Sequence, residues 1–135
     1  MGQLLVYLAT ALVALVVLLT WLRLRRPDAH IGGFVPLLHV SAGVVGLLIW
    51  VVFLIMPLGS PLGSSLAGVI GLFFLWLVVV AGVFLMLRWR PSRGKRAREI
   101  LPAARTGGRA LSLFAHLGTL VLVVWLTWAY VTTIV

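Results

Sequence analysis

The sequence predicts an all-α membrane protein whose four transmembrane helices pack as an up-down bundle, and three observations carry that expectation. Hydrophobic residues make up 63% of the 135-residue chain, whereas a soluble domain has roughly half and a fold this small cannot hide so much apolar surface from water. The apolar residues gather in four stretches, about 3–22, 34–56, 64–87 and 110–133. Each reaches the ~20 residues that a helix needs to cross a ~30 Å hydrocarbon core. Every Lys and Arg falls in two of the three connecting segments, 23–33 and 88–109, with an uncharged turn between them. The whole of 1–135 therefore reads as one transmembrane domain.

The charge pattern sets an expected orientation. The net charge of +9 is what a nucleic-acid binder would show, but basic segments on alternate sides of apolar spans follow the positive-inside bias. Both basic segments are expected to be cytoplasmic loops, with the N- and C-termini outside a cell (plasma or inner) membrane. Asp28 and Glu99, the only acids, lie in the same two loops. The partners expected are anionic lipid head groups, at about 1 kcal/mol per basic residue near the surface. Other membrane subunits or a second copy of the chain are further candidates, and nucleic acid ranks well below both. The chain has no cysteine, which excludes disulfides, thiolate metal sites, iron–sulfur clusters and thiol redox chemistry.

The first span follows no positive residue, and no small-residue cleavage motif comes after its basic end, so it reads as a retained helix and not a signal peptide. Gln3, Tyr7, Thr10 and Ala14 fall on one helical face and are expected to point toward the other helices. The segment RRPDAHIGG breaks the helix with Pro27 and the Gly32–Gly33 pair. Asp28 and His30 within it are too few ligands for a metal site. The second span carries Pro36 in its first turn, where the missing N–H is tolerated. On one face it then presents His39, Gly43, Gly46 and Trp50. PLGSPLGSS forms the uncharged turn.

The third span is expected to be a packing wall, because Ser64, Ala67, Gly68 and Gly71 form overlapping small-xxx-small pairs that let backbones approach closely. In the second basic segment, Pro91, Gly94, Pro102 and Gly107–Gly108 argue against one continuous helix. The fourth span is the most patterned. Ser112, His116, Thr119, Thr127 and Tyr130 share one arc and are expected to face inward, with Trp125 and Trp128 toward lipid. The two halves share small features: Trp21–Pro27 and Leu87–Pro91 are alike, as are Ile31–Gly33 and Thr106–Gly108, and a histidine follows in each half. They read as two helical hairpins of related design.

One constellation has chemical potential. With both basic loops inside, the second and fourth spans run the same way. His39 and His116 then sit at similar depth near the cytoplasmic side. An ionisable group in lipid is costly and faces protein or a cofactor by default. The leading reading is a non-catalytic accessory or anchor subunit of a larger membrane complex of respiratory type. Its histidines would be hydrogen-bonded packing groups, His39 on a backbone carbonyl and His116 on Ser112 or Tyr7.

The alternative is a b-type haem held for electron transfer, with His39 and His116 as axial ligands of its iron. Gly43 and Gly46 would make room for the flat ring, and Arg105 and Arg109 would meet its propionates. This plan resembles that of four-helix membrane cytochromes and of haem-bearing membrane anchors of respiratory enzymes. A third reading is a small transporter, channel or holin-like pore former. Against it, no Asp, Glu, Lys or Arg lies inside a span, where proton-coupled carriers keep such groups. An enzyme ranks last, since the chain shows no acidic base in the membrane, no nucleophile elbow and no phosphate loop.

Overall fold

The computed structural model describes residues 1–24, 34–88 and 107–135; within these, the side chains at 23–24, 35–36, 86–88 and 107–112 are not described. The described chain forms four α-helices: α1 (Gly2–Leu24), α2 (Phe34–Ile55), α3 (Ser65–Arg88) and α4 (Gly107–Val131). All four contain a stretch long and apolar enough to cross a membrane. Their outward surface agrees with that, since Leu4, Leu8, Leu12, Leu15 and Leu19 of α1 are all about half exposed. Such a continuous apolar face has no place in water. The chain is a multi-pass membrane protein.

α2 and α3 make by far the most extensive pairing, α1 packs on α2 and α4, and α3 packs on α4. The α2–α3 contact is close because glycines stand where the helices meet. A Cβ added at Gly46 would lie 2.7 Å from the Phe74 Cβ and 3.1 Å from the Leu75 nitrogen. At Gly71 it would lie 3.0 Å from the Trp50 nitrogen. At Gly68 it would meet the Tyr130 and Phe53 rings. Residue numbers therefore rise along α2 as they fall along α3. Between the two helices Pro57 ends α2, and a 3₁₀ turn over Pro61–Gly63 is capped by the Ser60 hydroxyl, which accepts from the Gly63 N–H at 3.0 Å. Ser64 belongs to this corner and stands just outside α3. It donates its hydroxyl to the Pro61 carbonyl at 2.6 Å, while its own carbonyl accepts from Ala67 and Gly68.

The core holds Trp50, Leu75, Leu126, Val6, Val13 and Val123, each less than 2% exposed. Hydrogen bonds between helices tie it together. Trp50 Nε1 donates to Thr10 Oγ1 at 3.1 Å (α2 to α1), and Trp76 Nε1 to Thr127 Oγ1 at 3.0 Å (α3 to α4). The Tyr130 hydroxyl donates to the Ser65 carbonyl at 2.7 Å (α4 to α3). Trp50, Phe53 and Tyr130 form an aromatic cluster with ring centres 5.4–6.3 Å apart. Among the described residues no buried side-chain nitrogen or oxygen lacks a partner.

Three expectations are corrected. On α1 the inward face is Val6, Ala9, Thr10 and Val13, all buried, whereas Gln3 and Tyr7 are exposed. Gln3 and Tyr7 instead line the rim of a cavity with Phe53 and Thr133, so polarity does not mark the packed side. On α4, Trp128 is half exposed, but Trp125 is only partly so and packs against the core. The fourth helix, expected from Ala110, begins at Gly107, so the Gly107–Gly108 pair forms its first turn, where unpaired N–H groups are normal.

Gly46→Leu is expected to destabilise the folded protein by about 1–3 kcal/mol through overpacking against α3. Gly118→Leu, at a position with nothing within 4 Å, should be close to neutral; unfolding midpoints in mixed micelles measure both. Trp50→Phe removes the bond to Thr10 and part of a fully buried indole, with an expected loss of about 2–3 kcal/mol in the same assay.

Candidate functional site

His39 lies in the second turn of α2, early enough that the α2–α3 register sets it opposite the last turns of α3. His116 lies in the third turn of α4. The fold brings the two imidazoles together, with ring centres 5.9 Å apart and planes 12° from parallel. α3 forms the third side. His39 Nδ1 lies 3.0 Å from the carbonyl oxygen of Val78. A carbonyl only accepts, so Nδ1 must carry the proton and donate it, which leaves a lone pair on Nε2. One turn further along α3 is Gly82, buried against both rings. A Cβ there would lie 2.6 Å from His116 Cδ2, 3.0 Å from His116 Nε2 and 3.3 Å from His39 Cε1.

Beside the pair is a cavity of about 200 Å³ walled by all four helices, with Val13 and Val17 from α1, Gly43 from α2, Val79 from α3 and Thr119 and Leu120 from α4. Close-packed interiors leave few voids larger than a water molecule. A cavity of this size can take a small guest, since an engineered apolar cavity of ~150 Å³ already does. The wall is almost wholly apolar, because its two hydroxyls turn to their own helices: Thr119 Oγ1 donates to the Ala115 carbonyl at 2.7 Å and Thr20 Oγ1 to Val16 at 2.8 Å. Among the described residues the imidazoles are the only titratable side chains on it. Among the described residues no three His, Cys, Asp or Glu side chains gather as a metal cluster.

The residues singled out in the sequence are placed as follows. His39 and His116 meet, and Gly43 lines their cavity, where an added Cβ would touch Val17 and Val78 at 3.5 Å. Gly46 is not on the cavity; it is spent on the close approach to α3. Arg105 lies outside the described residues, and Arg109 belongs to the first turn of α4 with its side chain, like that of Ser112, outside the description. Asp28, Glu99 and His30 also fall outside. Ala67, Gly68 and Gly71 pack at the opposite end of the helices, around Trp50, Phe53 and Tyr130. Tyr7 is not near His116. It faces a separate cavity of about 300 Å³ with Phe53 and Thr133.

Two participants escaped the sequence reading, the Val78 carbonyl and Gly82. A backbone acceptor leaves no mark in a sequence. Gly82 was visible only as a lone glycine in an apolar run, a position that a turn of lipid-facing helix fills equally well. No protein-family model, curated protein or solved structure matches the chain, so the site is read from its own geometry.

Replacing His39 by Phe keeps a flat ring but deletes the donor to Val78. The expected loss of stability is about 0.6–2 kcal/mol, against little change for Leu113→Phe on the exposed face of α4. The micelle unfolding assay compares the two.

Proposed function

We propose that this membrane protein binds a b-type haem between His39 and His116 and serves as a one-electron carrier. The observation behind this reading is the imidazole pair itself: two rings from different helices, held 5.9 Å apart and nearly parallel beside an apolar cavity. To hold the iron the two rings, stacked here with Gly82 beside both, would have to part and each turn a nitrogen toward it. A ligating histidine commonly donates its other N–H to a carbonyl, which fixes the tautomer and raises the basicity of the ligating nitrogen. The His39–Val78 bond is of that kind. Valine, leucine and back-bonded threonine walls exclude water and offer nothing that competes for the metal.

The cavity is smaller than the ~300–1,000 Å³ of sites for large organic ligands, so loading needs one wall to yield. α1, which contributes Val13, Val16 and Val17, is bound far less extensively than α2 and α3 are to each other. When bound, haem supplies reversible one-electron chemistry whose potential follows from its axial ligands and burial. The chain supplies both axial nitrogens, their orientation and the dry surroundings.

In the same reading the helices alternate in direction as an up-down bundle of two hairpins. In support, His39 meets Val78 and Gly82, Trp50 meets Gly71 and Thr10, and Gly2 meets Ile134. Segments 23–33 and 88–109 face the cytoplasm of a plasma or inner membrane and its anionic lipids, and both termini lie outside. The basic residues of those segments support that orientation.

A second reading keeps the protein an accessory or anchor subunit with the imidazoles as packing groups. It is favoured by the fact that the Val78 carbonyl already engages His39 without any cofactor.

Spectra of protein purified in mild detergent with haem supplied separate the two. A sharp reduced α-band, lost in His39→Ala and in His116→Ala and unmoved by carbon monoxide because both axial positions are filled, is the expected result. A colourless preparation that migrates with a larger membrane complex in native gels overturns the haem reading in favour of the subunit. Reporter fusions after Ser92 or Gly94 are expected to report the cytoplasmic side.

A further inference from the structure

We infer that the cavity beside the imidazole pair is a binding site for a small neutral aromatic alcohol, a single phenolic ring taken from the bilayer, whose hydroxyl donates to Nε2 of His39. The inference goes beyond the haem reading and does not rest on it. The rings stay stacked as the fold holds them, and the guest lies beside them. A haem, which needs them parted, would claim the same space.

The cavity specifies the guest in three ways, of which the first is size. Its volume of about 200 Å³ lies above the ~150 Å³ that accepts a benzene ring and below the ~300 Å³ at which sites for larger organic ligands begin. One ring with a short substituent fills it. The second is polarity. Among the described residues the wall is apolar apart from the two imidazoles and from Thr20 and Thr119, whose hydroxyls are turned to their own helices. A carboxylate or an ammonium would lose its hydration there with nothing to replace it, so the guest is uncharged. Val83 of α3 and Leu117 of α4 belong to this wall and are also about half exposed on the outer surface. The cavity therefore reaches the lipid-facing side, and the guest comes from the membrane.

The third is a single acceptor. His39 lines the cavity, and its Nδ1 proton is given to the Val78 carbonyl at 3.0 Å. Nε2 therefore carries a lone pair. No group among the described residues bonds to that nitrogen, and no buried side-chain nitrogen among them lacks a partner, so Nε2 is one that open space reaches. The bond to Val78 fixes the ring before any guest arrives, which spares the cost of orienting it on binding. A phenolic O–H is a stronger donor than an aliphatic one, because the charge left on its oxygen is delocalised into the ring. That flat ring can also lie against the imidazoles in the offset or edge-on arrangements that aromatic groups prefer. His116 is asked only for its ring, which closes one side of the space. A guest hydroxyl buried without a partner would be penalised, so His39 is the residue that selects a phenol over its methyl ether.

The test compares phenol with anisole, which has no proton to donate, by NMR titration of the haem-free full chain in mild detergent, with valine methyls and imidazole nitrogens isotope-labelled. Both probes also dissolve in the micelle, so occupancy is read from saturation. Methyls of Val13 and Val79 on the wall should shift to a plateau, while those of Val121 on the lipid face should drift in proportion to dose. Phenol should also move the His39 Nε2 resonance, and anisole should leave it in place. In His39→Phe the phenol-to-anisole affinity ratio should fall about five- to tenfold, the worth of one hydrogen bond. Taking the ratio within each protein cancels the difference in micelle solubility.

Wall methyls that only drift overturn the proposal. So do plateaus reached equally by both probes with an unmoved His39 Nε2 resonance: the cavity then takes any apolar guest, a lipid chain included, and His39 does not choose. That readout needs no variant and stands even if His39→Phe fails to fold. A colourless preparation removes the haem reading and leaves this inference standing, whereas drift without a plateau removes this inference and leaves the haem reading to its own spectra.

Discussion

α2 and α3 approach until the backbone of one touches the other, and the remaining structure is built around that contact. Lipid gives helices no hydrophobic reason to associate, so association depends on how many atoms pack and how closely. Gly46 and Gly71 remove the side chains that would hold the axes apart, and each receives backbone or Cβ atoms of the facing helix. A contact of this sort fixes register as well as distance, because only one sliding position sets Gly46 on Phe74 and Trp50 on Gly71. Once it is set, the early turns of α2 must lie beside the late turns of α3. His39 is thereby delivered to the Val78 carbonyl and Gly82.

The two ends of the helix assembly are built differently. At one end large aromatic groups fill the space: Trp50, Phe53 and Tyr130 pack as a cluster, with hydrogen bonds to Thr10 and Ser65. At the other, valines, threonines and Gly43 surround two imidazoles beside a cavity of about 200 Å³.

Within the open end the hydroxyls and one imidazole nitrogen are already engaged. Thr20 and Thr119 turn back to carbonyls of their own helices, and the His39 Nδ1 proton is committed to Val78. The His39 ring then stands in apolar surroundings, where its neutral form is favoured because a charged one is costly to bury. The proposed haem reading draws on that arrangement, and the packing reading draws on the same His39–Val78 bond.

Much was legible before any coordinates. Apolar runs of about twenty residues show four spans because the bilayer demands that length. His39 and His116 stand out because an imidazole in lipid needs a reason, and Gly68 and Gly71 because small residues permit close packing. The sequence was a poor guide wherever the choice was between equally apolar faces. Lipid accepts every side of α1 alike, so Gln3 and Tyr7 suggested an inward face that Val6, Ala9 and Val13 in fact occupy. Gly43 and Gly46 looked equivalent, yet one lines the cavity and the other is consumed by α3. That the histidines meet at 5.9 Å, that a carbonyl of α3 holds one of them and that Gly82 clears space for both are properties of register. Register comes from many weak contacts summed between helices, and no single residue type announces it.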